Sequence, residues 1–130
     1  MVPPANSDER RDIFEPMNGE FAAMRLGHFF FKASIPVGNH VHLRQEEIFF
    51  VSSGKIRILV LENVVTKNRR VFRDLGIGTR IHIPAGIGHA LIFEPGSTMT
   101  ALSSKPFDPS DLFPYKIMGS NGELLNSPNS

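Results

Sequence analysis

The chain has no cysteine, no long apolar run and no excess of charge of one sign. Without cysteine, neither a disulfide framework nor thiolate metal ligation is possible, so any metal ligand must be a nitrogen or oxygen atom. No apolar stretch approaches the ~20 residues that a membrane-spanning helix needs, and the polar, proline-containing first residues lack the apolar region of a secretory signal. We therefore expect a cytoplasmic protein with no membrane partner.

Charge and length narrow the possibilities further. The 14 basic and 13 acidic residues are interspersed and leave a net charge of +1, so the chain has no basic face of the kind that attracts nucleic acid. Its 130 residues, 41% of them hydrophobic, suit one globular domain with a packed core. We expect no nucleic-acid partner and one domain.

Short apolar runs rich in Phe, Ile and Val, broken by Gly, Ser, Asn and Pro, are typical of an all-β protein. Helical periodicity is nowhere sustained, and the number of short runs suits a sandwich or a small barrel. The predicted strands are Glu20–Ala33, Glu46–Ser52, Lys55–Glu62, Arg69–Asp74, Thr79–Ile83, His89–Glu94 and Thr98–Ser103.

Two turns can be placed from local sequence. The segment Ser52-Ser53-Gly54-Lys55 predicts a tight hairpin that links two adjacent antiparallel strands, because glycine accepts the positive φ of such turns. Asp108 is placed to cap a brief helical turn at Pro109–Leu112.

Two histidines and a glutamate are the first candidates for chemistry. His40 and His42 stand two residues apart, so on a strand both imidazoles point to the same side. Glu47 follows at the start of a strand whose alternation turns it toward an apolar interior. An ionised carboxylate is costly to bury alone, so the nearby imidazoles suggest that a cation partners it. Glu46 would take this place if the register slipped by one residue.

The spacing of these residues resembles the two-part signature of the cupin family. The first part, His-x-His-x4-Glu-x6-Gly, is matched by His40, His42, Glu47 and Gly54. The second part, Gly-x5-Pro-x-Gly-x2-His-x3-Asn, is matched by Gly78, Pro84, Gly86 and His89, with Phe93 in place of the asparagine. The two parts run from His40 to His89, and the barrel that the resemblance implies covers most of the chain.

The resemblance implies a fold, a domain range and a metal site. The fold is a double-stranded β-helix, or jelly-roll barrel, over residues 13–118, between a flexible N-terminal segment, 1–12, and a flexible C-terminal tail, 119–130. In the family, three histidines and one glutamate usually bind a metal, which carries the ligand roles to His40, His42, Glu47 and His89. Such a ligand set suits one divalent ion of Fe, Mn, Ni, Co, Cu or Zn, and affinity alone does not select among them.

Alternation also predicts the walls of the pocket. On the strand that Glu47 opens, Phe49 and Val51 share its face, and on the following metal-motif strand Leu91 and Phe93 share the face of His89. Because Phe93 replaces an amide, the pocket is expected to be more apolar than is usual in the family.

Three functions remain open. The first is a metal-dependent enzyme, of oxygenase or isomerase type, acting on a small oxygenated molecule. In the second, the segment from His40 to Arg44 looks like cupins that isomerise or epimerise nucleotide-linked keto sugars, with a histidine as base and no required metal. Such epimerases typically add a tyrosine acid, and the one tyrosine here, Tyr115, lies beyond the last barrel strand. The third is a non-catalytic module that binds a small molecule.

A homodimer is the expected assembly. The runs Phe29–Phe31 and Ile48–Phe50 place apolar side chains on both faces of their strands, more than one small barrel interior needs.

Overall fold

Short strands rich in apolar residues build two antiparallel sheets in a computed structural model that describes residues 2–126. The elements are β1 (Asn6–Ser7), β2 (Asp12–Ile13), β3 (Arg25–Phe30), β4 (Val37–Val41), β5 (Glu47–Ser53), β6 (Ile56–Asn63), β7 (Arg69–Leu75), β8 (Arg80–Ile83), β9 (Ile87–Phe93), β10 (Thr98–Ser103), a 3-10 turn η1 (Pro109–Asp111) and β11 (Phe113–Pro114). No helix within residues 2–126 has the length and hydropathy to cross a membrane.

The two sheets form the sides of a jelly-roll barrel. The front sheet has the strand order β3-β10-β5-β8, the back sheet has the order β11-β4-β9-β6-β7, and β1 pairs with β2 in a separate small ribbon. Neighbouring strands in both sheets are antiparallel. The all-β jelly-roll prediction is confirmed.

The main core lies between the sheets, and smaller apolar clusters cover their outer faces. The main core consists of Phe49, Val51, Ile56, Leu59, Ile81, Ile83, Leu91, Phe93, Met99 and Ala101. On the outside of the back sheet, Tyr115, Ile117 and Met118 pack on Val41, Ile58, Val60 and Ala90. On the outside of the front sheet, Phe21 and Met17 pack on Ile48 and Leu102. Segments before and after the barrel therefore bury apolar side chains on both faces of the central strands.

The turn at Gly54 is where sequence reasoning placed the strands wrongly. Gly54 does adopt the positive φ of a tight turn, at 70°. However, β5 belongs to the front sheet and β6 to the back sheet, so the turn crosses the barrel and the predicted hairpin pairing is wrong. The reason lies in Ser97, whose hydroxyl accepts from Lys55 N at 3.0 Å and donates to Lys55 O at 3.2 Å, holding the chain at the crossing.

The first predicted strand, Glu20–Ala33, is also too long, because regular strand covers only Arg25–Phe30. The strand Val37–Val41, which carries His40, was not among the predicted strands. Its two consecutive positive-φ residues, Gly38 and Asn39, remove the regular alternation by which a strand is recognised.

Both termini make contacts where the structure describes them. Val2 N donates to Gly78 O at 2.6 Å near the start of the chain. Met118 bridges to Leu124, and Leu125 N donates to Ile117 O at 2.8 Å near the end. The predicted flexibility of residues 1–12 and 119–130 stays a prediction, and residue 1 and residues 127–130 lie outside the described part.

The crossing at Gly54 predicts a large cost for one added methyl group. A Cβ at Gly54 would lie 2.7 Å from Ser97 Cβ and 2.8 Å from Ser97 Cα, whereas a Cβ at Gly96, also at positive φ, meets nothing within 4 Å. Gly96→Ala should therefore cost only the backbone term, about 1 kcal/mol. Gly54→Ala should cost about 1–3 kcal/mol more from overpacking. Urea unfolding measures both variants, and equal losses would contradict this account of the crossing.

Candidate functional site

A cavity of about 400 Å³ opens between the front and back sheets at one end of the barrel. Its lining is largely apolar, with polar side chains gathered at its inner end. The lining residues are Arg25, Gly27, Phe29, Phe31, Val37, Gly38, His40, His42, Glu47, Phe49, His89, Leu91, Met99, Ala101, Ser103, Phe107 and Leu112. Its size and character suit a small molecule with one oxygenated end.

The strand register brings the four predicted ligand residues to this cavity. His40 on β4 pairs with His89 on β9, next to a register shift between Gly38 and His40. Asn39, at φ 54°, forms this bulge, and its side-chain oxygen accepts from the N–H groups of residues 117 and 118 at 2.8 and 2.9 Å. The C-terminal segment thus fixes the bulge that aims His40. Glu47 faces His40 and His89 across the barrel from the start of β5.

The four side chains converge around the Glu47 carboxyl group. Its Oε1 atom lies 3.5 Å from His42 Nε2 and 3.9 Å from His89 Nε2. The His40 ring centroid lies 4.5 Å from that of His89 and 5.1 Å from that of His42. Glu47 Oε1 is buried and has no hydrogen-bond partner within the described residues. The prediction that these residues share one site matches their placement, while their role as metal ligands stays a prediction.

His42 is held by a contact that sequence reasoning missed. Its Nδ1 donates to the main-chain carbonyl of Asp111 at 2.8 Å, because a carbonyl oxygen can only accept. With Nδ1 carrying the proton, Nε2 keeps its lone pair and faces Glu47. The sequence did predict the turn that contains Asp111, since Asp108 caps it by accepting from Ser110 N at 2.9 Å. No local signal indicated that this turn contacts His42, 69 residues earlier.

Burial governs protonation in the cavity. It lowers the pKa of His89 to about 3 and that of His40 to about 4, and the neighbouring imidazoles add to both effects. It raises the pKa of the Glu47 carboxyl above its ordinary value, against the opposing influence of His42 and Arg25. His40 and His89 are therefore neutral near pH 7, and the Glu47 carboxyl holds its proton more tightly than an exposed glutamate does.

Three neutral imidazoles and a carboxylate are a donor set that suits a divalent transition metal. The unpartnered Glu47 Oε1 and the His42 tautomer, with its bare Nε2 turned inward, fit such an ion. As the side chains stand, however, no three His, Asp or Glu groups within residues 2–126 are arranged so that they could hold a metal ion. Metal binding at this site would require the imidazole and carboxylate groups to move closer together.

The predicted pocket walls divide into two pairs. Phe49 and Leu91 line the cavity as expected. Val51 and Phe93 are not among its lining residues and lie in the main core. Phe93 faces inward but stacks on Phe31, with ring centroids 3.8 Å apart and planes 7° apart, so Phe31 covers it. The aromatic ring that lines the cavity here is therefore that of Phe31, and Phe93 lies behind it.

The two remaining candidates, Glu46 and Tyr115, lie outside the cavity. Glu46 points to the other face of β5, where it is half-exposed and lies 3.9 Å from His82, so Glu47 is the inward residue as predicted. The Tyr115 hydroxyl donates to the carboxylate of Glu62 on the outside of the back sheet. Tyr115 is thus remote from the cavity and cannot act there as an acid.

Arg25 is the one arginine or lysine among the lining residues. Its guanidinium group lies 5.4 Å from the Phe107 ring centroid and donates to Ser103 Oγ at 3.3 Å. Both contacts leave donors of the guanidinium fork free for an anion in the cavity.

The buried His89 ring predicts a specific loss of stability in acid. Its folded pKa of about 3 lies below the ordinary value of 6.5, so between these values the unfolded chain binds more protons. The free energy of unfolding should then fall with falling pH by about 1.4 kcal/mol per pH unit from this group. His89→Gln should remove that slope, measured by urea unfolding with a chelator present. His82→Gln, at a half-exposed ring, is the control and should retain it. Equal slopes for wild type and His89→Gln would contradict the assignment.

No family model matches the chain, and no curated protein sequence is similar to it. Solved structures do resemble it. A 3,4-ketoisomerase from Helicobacter canadensis has 18% identity and a TM-score of 0.76, with 86% of each chain covered. The sugar 3,4-ketoisomerase QdtA from Thermoanaerobacterium thermosaccharolyticum, in complex with TDP, has 15% identity and a TM-score of 0.74, covering 86% of this chain and 84% of that chain.

A third similar structure is that of an epimerase. The 3'-monoepimerase ChmJ from Streptomyces bikiniensis, in complex with dTDP-quinovose, has 17% identity and a TM-score of 0.77, covering 91% of this chain and 68% of that chain. At these identities the likeness concerns the fold alone. The protein therefore has the cupin-like jelly-roll fold that these sugar isomerases and epimerases share.

Proposed function

We propose that this protein is an isomerase that moves the carbonyl group of a nucleotide-linked keto sugar by proton transfer, with His42 as base and Glu47 as acid. The observation that carries the proposal is the pair itself: a bare imidazole nitrogen of His42 lies 3.5 Å from the buried Glu47 carboxyl at the inner end of the cavity. The fold shared with sugar 3,4-ketoisomerases supports the choice of substrate class.

The chemistry requires one base and one acid close together. In the first step, His42 Nε2 removes the proton from the carbon that bears a hydroxyl next to the keto group, and the C–H electron pair forms the double bond of an enediol. The C=O π pair moves onto the carbonyl oxygen, which takes a proton from the Glu47 carboxyl, whose pKa is raised by burial. In the second step, protonated His42 gives its proton to the former carbonyl carbon, and the Glu47 carboxylate takes the proton of the original hydroxyl, which becomes the new carbonyl. Both residues return to their starting states, and the step consumes no oxidant or reductant.

His40 and His89 have a supporting role in this proposal. Because the pKa values of about 4 and about 3 keep them neutral near pH 7, they neither repel a protonated His42 nor compete with it for the proton. Their rings face the same point as His42 and can hydrogen-bond the sugar oxygens. The apolar walls exclude water, which strengthens every polar contact at the inner end.

Arg25 suits a phosphate group. It offers free guanidinium donors beside the exposed Phe107 ring, and it lies opposite Ser103 on one side of β10, as Glu47 does on the other. A sugar ring beside His42 and Glu47 would bring its diphosphate within reach of Arg25, since a guanidinium group binds phosphate oxygens well. Arg25 thus accounts for binding, and the His42 and Glu47 pair accounts for the reaction.

Substitution of His42 tests the proposal. His42→Asn removes the base, so the conversion of TDP-4-keto-6-deoxyglucose should slow by about 10²–10⁴-fold, as is usual for loss of a general base. One-dimensional proton NMR of the product sugar measures the rate. His82→Asn, outside the cavity on β8, should keep the wild-type rate. An active wild-type protein whose His42→Asn variant converts the sugar equally fast would refute the role of His42, and a wild-type protein that converts no nucleotide-linked keto sugar would refute the proposed function.

A second candidate function is binding of a divalent metal by His40, His42, Glu47 and His89, for chemistry on a small oxygenated ligand. Two observations favour it: Glu47 Oε1 is buried without a hydrogen-bond partner, and the Nε2 atoms of two histidines lie within 4 Å of it. A bound ion would supply Lewis-acid polarisation of a ligand oxygen. The match to the cupin signature supports this candidate, as it supports membership of the cupin family.

Matched glutamate variants test the metal candidate. Chelator-treated protein is titrated calorimetrically with Mn²⁺, Fe²⁺, Co²⁺, Ni²⁺, Cu²⁺ and Zn²⁺ in turn. If the site holds a metal, at least one ion binds at one equivalent, Glu47→Gln weakens it by at least about tenfold, and Glu46→Gln leaves it unchanged because that side chain faces away. Equal affinity in the two variants, or no binding to wild type, would rule out the metal site.

The homodimer also stays a prediction, and the structure changes the reason for it. Ile48 and Phe50 are buried within one chain, so they no longer call for a partner. Leu26 and Phe30, on the outer face of the edge strand β3, are 66% and 70% exposed and would be the centre of a dimer contact.

A further inference from the structure

We propose that Asp111 is a positioning residue that selects the tautomer of His42, so that Nδ1 carries the proton and Nε2 is bare and directed into the cavity. This inference takes its catalytic meaning from the proposed function of His42. It concerns a residue outside both parts of the sequence signature, on the 3-10 turn η1 (Pro109–Asp111).

Asp111 acts on His42 through two separate contacts. Its main-chain carbonyl accepts from His42 Nδ1 at 2.8 Å, which fixes the ring. Its carboxylate accepts from the three backbone N–H groups that follow His42 in the chain. The distances are 2.9 Å from Leu43 N, 3.0 Å from Arg44 N and 3.1 Å from Gln45 N. Three successive N–H groups that converge on one anion form a nest, and here the anion belongs to the protein itself. The carboxylate therefore fixes the backbone directly after His42, while the carbonyl of the same residue fixes its ring.

The burial of this arrangement makes it effective. The Asp111 side chain is only 3% exposed, and both its oxygens are used: Oδ1 by Leu43 and Arg44, Oδ2 by Arg44 and Gln45. Water cannot easily replace these contacts. The carbonyl of His42, which shares a peptide unit with Leu43 N, accepts from Gly86 N at 2.8 Å, so both polar groups of this peptide unit are held. The His42 ring is attached to this fixed backbone, and the carbonyl that faces Nδ1 can only accept, which favours the Nδ1–H tautomer.

We call the hydrogen bonds from the N–H groups of residues 43–45 to the Asp111 carboxylate the clamp. The isosteric change Asp111→Asn replaces one of the two oxygens of this clamp by an NH₂ group. Both carboxylate oxygens accept N–H groups, so an amide NH₂ at either position opposes a donor to a donor. The backbone at residues 43–45 must shift to relieve this contact, which weakens the bond from His42 Nδ1 to the carbonyl. The matched control is Asp108→Asn in the same turn, because Asp108 is half-exposed, binds the same Arg44 side chain, and asparagine can still cap.

The test is long-range proton–nitrogen NMR of ¹⁵N-histidine-labelled, chelator-treated protein near neutral pH, with His42 assigned from the His42→Asn variant. In wild type, Nδ1 should be protonated and Nε2 bare. In Asp111→Asn, the ratio of the Nε2–H to the Nδ1–H tautomer should rise about fivefold, the factor that one ordinary hydrogen bond supplies. Asp108→Asn should keep the wild-type ratio.

Three results would overturn the proposal: a wild-type His42 protonated on Nε2, an unchanged ratio in folded Asp111→Asn, or an equal change in Asp108→Asn. If Asp111→Asn does not fold, wild-type amide exchange decides, because the N–H groups of residues 43–45 should be protected and rapid exchange there contradicts the clamp. The tautomer is read without substrate. A confirmed tautomer in a protein that converts no keto sugar upholds the positioning role and removes the proposed function.

Discussion

A carboxyl group buried in an apolar cavity is the constraint on which the site depends. The side chain of Glu47 is 9% exposed, and its Oε1 has no hydrogen-bond partner within the described residues. A bare ionised carboxylate in such a place costs several kcal/mol, so the group must hold a proton or meet a cation. If the carboxyl holds a proton, Glu47 would be an acid beside the bare Nε2 of His42. If it meets a cation, the same residues would form a metal centre.

The barrel strands bring the site residues together, and the segment after the barrel fixes the orientation of two of them, His40 and His42. Residues 117 and 118 hold the Asn39 bulge that aims His40, and Asp111 holds the ring of His42. Both contacts reach from the end of the chain to β4 and the loop after it. The segment 107–118 therefore contributes to the site, and it also covers the outer face of the back sheet. Such support would hold the proposed pair of His42 and Glu47 in a fixed geometry.

Two kinds of pattern allowed correct predictions from the sequence: the alternation of side chains along a regular strand and the fixed spacing of the motif residues. Glu47 was preferred to Glu46 because of its spacing to Gly54, and alternation then placed Phe49 on the same face. The four candidate ligands were found because their spacing matches a known signature. Alternation failed at β4, where Gly38 and Asn39 have positive φ, and at Gly54, where a turn joins two sheets instead of two paired strands. Asp111 could not be predicted, since a contact between residues 69 apart depends on the folded path of the chain.

In the proposed reaction, His42 and Glu47 move a proton at the carbon next to a sugar carbonyl. Incubation of the protein with TDP-4-keto-6-deoxyglucose in deuterium oxide tests for this proton transfer without knowledge of the final product. Mass spectrometry of the recovered nucleotide sugar should find deuterium bonded to the ring carbon beside the keto group, at a rate well above that of the buffer alone, because a base shared with solvent exchanges its proton between turnovers. Deuterium uptake no faster than in buffer, with the sugar chemically unchanged, would contradict the account.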